Sequence, residues 1–156
     1  MSGILVLRRS DARAMAFLHG VCFSELERWN AQSFEGLLAL PTTLALGLGG
    51  RFGLSALLLV QNADPESEVL TLCVAPTARR SGLASQLIEA VLKMLGQRGT
   101  ARIMLDVAAD NQGALDFYAA HGFQEDSRRK DYYRRGTQPR VDAVLMSRDI
   151  AGQIQS

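Results

Sequence analysis

The segment at residues 75–85 holds the residue types and spacing best suited to bind a ligand. The apolar stretch Val69–Val74 leads through Pro76 into residues whose apolar side chains recur every three or four positions from Leu83 onward. This pattern predicts a strand, a short loop and a helix. Gly82 lies at the predicted start of the helix, where backbone N–H groups lack partners and point along the helix axis. Because glycine has no bulky side chain, these N–H groups could bind a pyrophosphate.

Two further side chains could move protons. Asp106 lies in the apolar segment 101–107, and Tyr118 lies on the apolar face of a segment that begins near Asn111. A carboxylate buried alone costs several kcal/mol, so Asp106 must be paired, protonated or solvated in a cavity. It could equally be a structural carboxylate. Packing is the commoner role for a tyrosine like Tyr118, although a nearby phenol can also donate a proton.

The loop has a spacing typical of one known superfamily. The residues Arg79-Arg80-Ser81-Gly82-Leu83-Ala84 follow the pattern Arg/Gln-x-x-Gly-x-Gly/Ala. This resembles the pyrophosphate loop of the GNAT superfamily of acetyl-CoA-dependent N-acetyltransferases. Neither Gly-x-Gly-x-x-Gly nor Gly-Lys-Ser/Thr occurs in the chain, which argues against the other common nucleotide-binding loops.

The resemblance extends from Glu68 to Met146 and is greatest to the bacterial ribosomal-protein-alanine N-acetyltransferases. The first 67 residues match more loosely, chiefly near Cys22-Phe23 and Trp29-Asn30. The matching residues downstream of the loop are, in order, Leu105-Asp106-Val107, Asn111, Tyr118, His121-Gly122-Phe123, Tyr132-Tyr133 and Asp142-Ala143-Val144-Leu145-Met146.

The resemblance implies acetyl-CoA as co-substrate and no metal. Leu72, Cys73 and Val74 would bond the pantetheine arm through their backbone. The remaining cofactor-binding residues implied are Arg79, Arg80, Ser81, Gly82, Leu83, Ala84, Ser85 and Asn111. Cys73 has no histidine or acid near it in sequence, so a packing role is favoured over an acetyl-carrying nucleophile.

The resemblance also implies direct acetyl transfer in a ternary complex. Asp106 would take a proton from the amine, and because the family usually has the longer Glu here, a water relay is favoured. Tyr118 would protect the leaving thiolate. Trp29, Tyr132 and Tyr133 would bind the acceptor.

The acceptor implied is the N-terminal α-amine of a protein, such as a ribosomal protein. A small-molecule amine and a non-catalytic acetyl-CoA or CoA sensor remain alternatives. The basic segment 134–140 departs from the family, and as a wall of the acceptor groove it would repel a basic peptide, which leaves an acidic or neutral acceptor possible. The alternative is a solvated hairpin turn whose arginines never meet the substrate.

Composition excludes several other classes. The 156 residues carry 17 basic and 16 acidic side chains, a net charge of +1 that predicts no binding to nucleic acid or an anionic membrane. The absence of a long apolar stretch or a signal pattern predicts a cytoplasmic protein. The expected assembly is a monomer or a weak dimer, and the sequence leaves the oligomeric state open. Cys22 and Cys73 suggest neither a disulfide nor a zinc site. His19 is predicted on a helix surface and His121 at a helix end.

The predicted fold is α/β: one domain over residues 1–150 with a tail at 151–156. Alternating patterns predict a mixed, mostly antiparallel sheet of six or seven strands with helices on both faces. The resemblance implies a splay between strands 4 and 5. The predicted strands include residues 4–7, 43–49, 53–61, 68–74, 101–107, 123–129 and 141–147, and the helices begin near Asp11, Asn30, Gly82 and Asn111. The two asparagines are predicted N-caps. The third helix is predicted to run to Leu95 and to end at Gly96, with Gly99 following.

Overall fold

The structure, a computed structural model, describes residues 3–50 and 53–150. Its elements are β1 (Ile4–Val6), α1 (Ala12–Cys22), α2 (Ala31–Leu38), β2 (Thr43–Gly50), β3 (Gly53–Ala63), β4 (Glu66–Val74), α3 (Leu83–Gln97), β5 (Arg102–Ala108), α4 (Gln112–Ala120), β6 (Gln124–Arg135) and β7 (Gln138–Asp149). Single 3₁₀ turns at Arg9–Asp11 and Pro76–Ala78 precede α1 and α3. The predicted tail lies outside the described residues, and the domain boundaries stay a prediction.

The strands form one seven-stranded sheet in the order β1-β2-β3-β4-β5-β7-β6. Every neighbouring pair is antiparallel except β4 and β5. Those two strands pair only where Glu66–Glu68 lies beside Arg102–Met104, and then they diverge. The predicted mixed sheet with a splay between strands 4 and 5 is therefore confirmed.

Helices cover both faces of the sheet, as predicted. On one face, α1 and α2 pack against β2, β3 and β4 through a core that includes Met15, Phe34 and Leu59. On the other, α3 packs against the sheet through a larger core that includes Leu87 and Ile103. Asparagine caps form as expected, because Asn30 accepts a hydrogen bond from Ser33 N–H and Asn111 accepts one from Ala114 N–H.

The last hairpin differs most from the prediction. Strands β6 and β7 are each twelve residues long and leave only Gly136 and Thr137 between them, so the predicted hairpin turn lies within 134–140 but is two residues long, and both strands are longer than predicted. Nearly every residue of β6 is exposed, so the strand lacks the apolar alternation by which strands are recognised.

Three smaller differences concern α1, α3 and the β2–β3 turn. Helix α3 continues through Gly96 to Gln97, although Gly96 was predicted to end it. His19 is 1% exposed, so its predicted position on a helix surface is wrong. The predicted turn at 50–52 falls largely on residues outside the described part of the chain. None of the helices within residues 3–50 and 53–150 is long and apolar enough to cross a membrane.

Candidate active site

The divergence of β4 from β5 opens a gap in the sheet. Residues Val69–Val74 pair with β3 on one side, and no strand of residues 3–50 and 53–150 pairs with their other side. Backbone groups on an open strand edge can bond an extended ligand. Two cavities lie at this gap. One is toward the loop before α3, and the other is toward the β6–β7 hairpin.

The loop before α3 turns through two left-handed residues. Gly82 has φ +78° and is the residue that precedes the first turn of α3, and Arg80 has φ +65°. A Cβ placed on Gly82 would meet nothing within 4 Å, so the backbone angle, and not crowding within the chain, requires glycine here. A non-glycine residue with positive φ such as Arg80 is typical of functional loops.

Side chains tie this loop to the end of β4. The Arg79 Nε–H donates to the Val74 carbonyl at 3.2 Å, and the Ser81 hydroxyl donates to the Ala78 carbonyl. Ser85, in the first turn of α3, has its hydroxyl 3.0 Å from Nε2 of His121, which lies at the end of α4 as predicted. The start of α3 is thus connected to both β4 and α4.

The first cavity, the loop cavity, has a volume of about 510 Å³. Every residue predicted to bind the cofactor lines it except Ser81, whose hydroxyl turns back to the loop. Besides Tyr118, which was assigned to catalysis, five lining residues were not assigned to the cofactor from the sequence, because small and apolar side chains carry no chemical signal. They are Cys22, Phe23, Ala78, Ala114 and Phe117.

The second cavity, the hairpin cavity, has a volume of about 420 Å³ and lies against β5 and β6. It contains Asp106 and two of the three predicted acceptor-binding residues, Trp29 and Tyr133. Tyr132 is 47% exposed and is not among the lining residues. The residues shared by both cavities are Phe23, Leu72, Asn111, Ala114 and Tyr118.

Tyr118 stands where the two cavities meet. Its ring packs edge-to-face against Phe117 at 5.2 Å and Phe123 at 5.4 Å between centroids, and 8% of the residue is exposed. Burial raises the pKa of the Tyr118 phenol well above its ordinary value. The phenol is therefore protonated at neutral pH and can act as a hydrogen-bond donor.

Asp106 faces the hairpin cavity from β5. Its neighbours Leu105 and Val107 point to the opposite, buried face, whereas Asp106 is half-buried. It takes part in none of the ion pairs formed within residues 3–50 and 53–150. Burial, followed by the charge of Asp106, raises the pKa of Tyr133 to about 12. Asp106 thus borders a cavity and has no cationic partner among the described residues, and the possibility of a carboxylate solvated there stays a prediction.

Cys73 lies on the lining of the loop cavity but has the properties of a packing residue. Burial, and next the adjacent Cys22 thiol, raise the pKa of the Cys73 thiol far above its usual range. A thiol must ionise to act as a nucleophile. The thiol of Cys22 donates instead to the Val74 carbonyl at 3.4 Å.

An aromatic cluster forms the wall of the hairpin cavity nearest α1. The ring of His19 stacks between Phe23, at 4.2 Å, and Trp29, at 5.0 Å. Its Nδ1 accepts a hydrogen bond from the Trp29 backbone N–H at 3.1 Å, and its Nε2 lies 3.1 Å from Thr71 Oγ1. Burial lowers the pKa of His19 to about 4, so the ring is neutral.

Arg135 closes the cavity at the end of β6. Its guanidinium lies 3.0 Å from the Asp110 carboxylate and 3.6 Å from that of Glu27, and 5.6 Å from the centre of the Tyr133 ring. Neither Arg135 nor Glu27 was assigned to a site from the sequence. Ion pairs between residues that are far apart in the sequence leave no local pattern from which they could be predicted.

Comparison with known proteins supports the same assignment. A profile of the acetyltransferase (GNAT) family matches residues 14–123. The N-alpha-acetyltransferase RimI of Mycobacterium tuberculosis is 31% identical over 147 residues, which is 92% of this chain and 89% of that protein. The ribosomal protein bS18 alanine N-acetyltransferase of Escherichia coli is 33% identical over 98 residues, 63% of this chain and 66% of that protein, or just under two thirds of its length.

Solved structures share the whole fold. The crystal structure of the Escherichia coli ribosomal-protein-alanine N-acetyltransferase superimposes with a TM-score of 0.88 at 27% identity, over 97% of this chain and 95% of that one. The Vibrio cholerae spermidine/spermine N-acetyltransferase SpeG, at 18% identity and a TM-score of 0.77 over 97% and 94% of the two chains, shows the fold alone. The resemblance inferred from the loop and the downstream residues is confirmed: the chain belongs to the GNAT acetyltransferase family.

Proposed function

We propose that this protein transfers the acetyl group of acetyl-CoA to the N-terminal α-amine of a protein, with a ribosomal protein as the leading candidate. The observation that carries the proposal is the meeting of two cavities at Tyr118, since a bisubstrate reaction needs a donor site and an acceptor site that share one point. Relatives named as an N-alpha-acetyltransferase and as a ribosomal protein bS18 alanine N-acetyltransferase support the choice of acceptor.

The loop cavity suits the donor. The open edge of β4 at Leu72, Cys73 and Val74 offers backbone groups to an extended pantetheine arm. The first turn of α3 after Gly82 offers unpaired N–H groups and the positive end of the helix dipole to the pyrophosphate. Arg79 and Arg80 add positive charge beside them.

Asp106 is proposed to remove the proton from the incoming ammonium through a water molecule. An α-amine with a pKa of about 7.7 to 8.0 needs on the order of 1 kcal/mol to lose its proton at neutral pH, whereas a lysine near ~10.4 needs about 4 to 5 kcal/mol. One solvated carboxylate is an adequate base for the first and a weak one for the second. The half-buried Asp106 therefore favours an α-amine acceptor.

Tyr118 is proposed to donate a hydrogen bond to the departing thiolate. Because the pKa of its buried phenol is raised, full transfer of its proton to a thiolate is uphill, and stabilisation by the hydrogen bond is the larger part of its role. Cys73 stays protonated, so a covalent acetyl-cysteine intermediate is not favoured. Direct transfer between the bound substrates is the mechanism proposed.

The charges of the hairpin cavity favour a cationic acceptor. Its lining includes two carboxylates, Glu27 and Asp106, and one guanidinium, Arg135. Arg135 is itself paired with Glu27 and Asp110. Because the charge of Arg135 is neutralised by these two carboxylates, the basic hairpin is not expected to repel a basic peptide from the cavity.

The test in cells is a comparison of protein N-termini, by mass spectrometry, between a parent strain and a strain that lacks this chain. We expect a small set of N-termini to lose acetylation, ribosomal proteins among them. Unchanged N-termini would contradict the proposed acceptor. A small-molecule amine acetyltransferase would then be indicated by acetylation of free amines in vitro, and a CoA sensor by binding without turnover.

A further inference from the structure

We propose that His19 is a positioning residue that shapes the acceptor pocket; this inference rests on the proposed transfer of acetyl to an amine. Among the described residues, His19 is the one histidine that lines the hairpin cavity. It lies on α1, whereas the proposed catalytic residue Tyr118 lies on α4. The mechanism proposed above gives His19 no role. His19 is 1% exposed, and both of its ring nitrogens have hydrogen-bond partners, so its polar ring is held in one orientation.

The two ring nitrogens have defined roles. A backbone N–H can only donate, so Nδ1, which lies 3.1 Å from the Trp29 nitrogen, must be the unprotonated acceptor. In the neutral ring the proton is then on Nε2, which donates to Thr71 Oγ1 at 3.1 Å. His19 thus connects the loop after α1 to the middle of β4.

The groups that His19 holds are lining groups of the pocket. Trp29, Thr71 and Phe23 all line the hairpin cavity, and His19 bonds the first two and stacks on the third. Trp29 is in a segment without regular secondary structure between α1 and α2. Its indole is fixed by stacking on His19 and by a tilted contact with Phe34 at 5.4 Å. Without His19, this part of the pocket loses a hydrogen bond and a stacking partner together.

Asparagine and glutamine separate the two bonds. In His19→Asn the side-chain oxygen can lie near the position of Nδ1 and retain the bond to Trp29, whereas in His19→Gln the side-chain NH₂ can lie near the position of Nε2 and retain the bond to Thr71. We expect His19→Gln to raise the acceptor KM about tenfold and to leave kcat within about twofold, the effect of one lost hydrogen bond in the ground state. His19→Asn should recover part of the loss.

The matched control is Phe17→Ala. Phe17 lies on the same helix as His19, but it is 76% exposed. The substitution should leave the acceptor KM unchanged. Trp29 is the single tryptophan of the chain, so its fluorescence reports on the pocket directly and without activity. His19→Gln should shift its emission to longer wavelength as the indole gains contact with water, and acetyl-CoA should raise the melting temperature as much as in the parent protein.

The proposal is overturned if His19→Gln keeps both the parent acceptor KM and the parent Trp29 emission, or if KM, kcat and the acetyl-CoA shift all worsen together, as general loosening would cause. Should both His19 variants fail to fold, Thr71→Val and Thr71→Ser replace them: the proposal requires a raised acceptor KM in the first and a near-parent KM in the second. A parent protein that binds acetyl-CoA but acetylates no amine contradicts the proposed function instead, and the Trp29 measurements still test His19.

Discussion

Tyr118 and Asp106 line the same cavity from different elements, but only Tyr118 also lines the loop cavity. The phenol comes from α4 and the carboxylate from β5. In the proposed mechanism this separates proton removal, on the acceptor side, from stabilisation of the leaving group, on the donor side. Each role can therefore be removed by itself.

Tyr118→Phe should lower the rate of acetyl transfer roughly 10²-fold, the usual scale for a lost proton or hydrogen-bond donor. Phenylalanine keeps the edge-to-face packing against Phe117 and Phe123, so stability should change little. Single-turnover kinetics measure the chemical step, and the acetyl-CoA-induced rise in melting temperature checks binding. A variant that transfers acetyl at the parent rate removes Tyr118 from the mechanism.

Asp106→Asn should lose rate chiefly at low pH, where the amine arrives protonated and needs a base. At a pH above the pKa of the amine, which is about 8, the rate of the variant should approach that of the parent protein. The measurement is kcat/KM across pH for one peptide acceptor. An equal loss at every pH, or an early melting transition, would instead assign Asp106 to holding the strands together.

Gly82→Val should abolish stabilisation by acetyl-CoA. A β-branched residue is strained at φ +78°, so the loop must shift and its N–H groups lose their common direction. Gly36→Val in α2 is the control, because a Cβ there also meets nothing within 4 Å but φ is not positive. Thermal unfolding with and without acetyl-CoA decides the matter: a parent-sized shift in Gly82→Val would exclude this loop as the pyrophosphate site.

Arg135→Gln should change acceptor selectivity. With the guanidinium gone, the carboxylates of Glu27 and Asp110 lose their partner and the cavity rim becomes more negative. The ratio of kcat/KM for a peptide with a basic second residue to one with an acidic second residue should rise, and added salt should reduce the change. Arg134→Gln, at an exposed neighbouring position, should leave the ratio unchanged. A fall in the ratio for Arg135→Gln would contradict the charge assignment.

His19 should make the fold less stable in mild acid. Its pKa is about 4 in the folded protein and 6.5 in the unfolded chain, so between these values the unfolded state binds more protons. Stability therefore falls as the pH falls from 6.5 toward 4, by about 3 kcal/mol over the whole interval. Other groups contribute to both proteins alike, so urea unfolding of the parent and of His19→Gln isolates the effect. Parallel pH profiles would show that His19 is not a neutral buried ring.

The fold was predictable where apolar residues alternate or repeat. Strands β2 to β5 and helix α3 have strong patterns, and each was predicted to within two residues or so of its bounds. Strand β6 was predicted at half its length, because a strand exposed on both faces has no apolar period. Glycine was a poor guide in α3, where Gly96 is buried within the helix.

The candidate site was predictable only where a motif exists. The loop around Gly82 was found from its spacing, and Asp106 and Tyr118 from the resemblance that the loop suggested. His19 was misplaced because a single polar residue on an amphipathic helix is ordinarily solvent-exposed. Its partners, Trp29 and Thr71, are ten and 52 residues away, and a bond across such distances has no local signal.

The most direct test of the central claim uses purified protein, acetyl-CoA and a peptide that begins with alanine and also contains one internal lysine. Tandem mass spectrometry locates any acetyl group that is added. We predict acetylation of the α-nitrogen by the parent protein, a much slower reaction with Tyr118→Phe, and no reaction with a peptide whose N-terminus is blocked. Acetylation of the lysine alone, or none on any peptide while a small free amine is acetylated, would contradict the account.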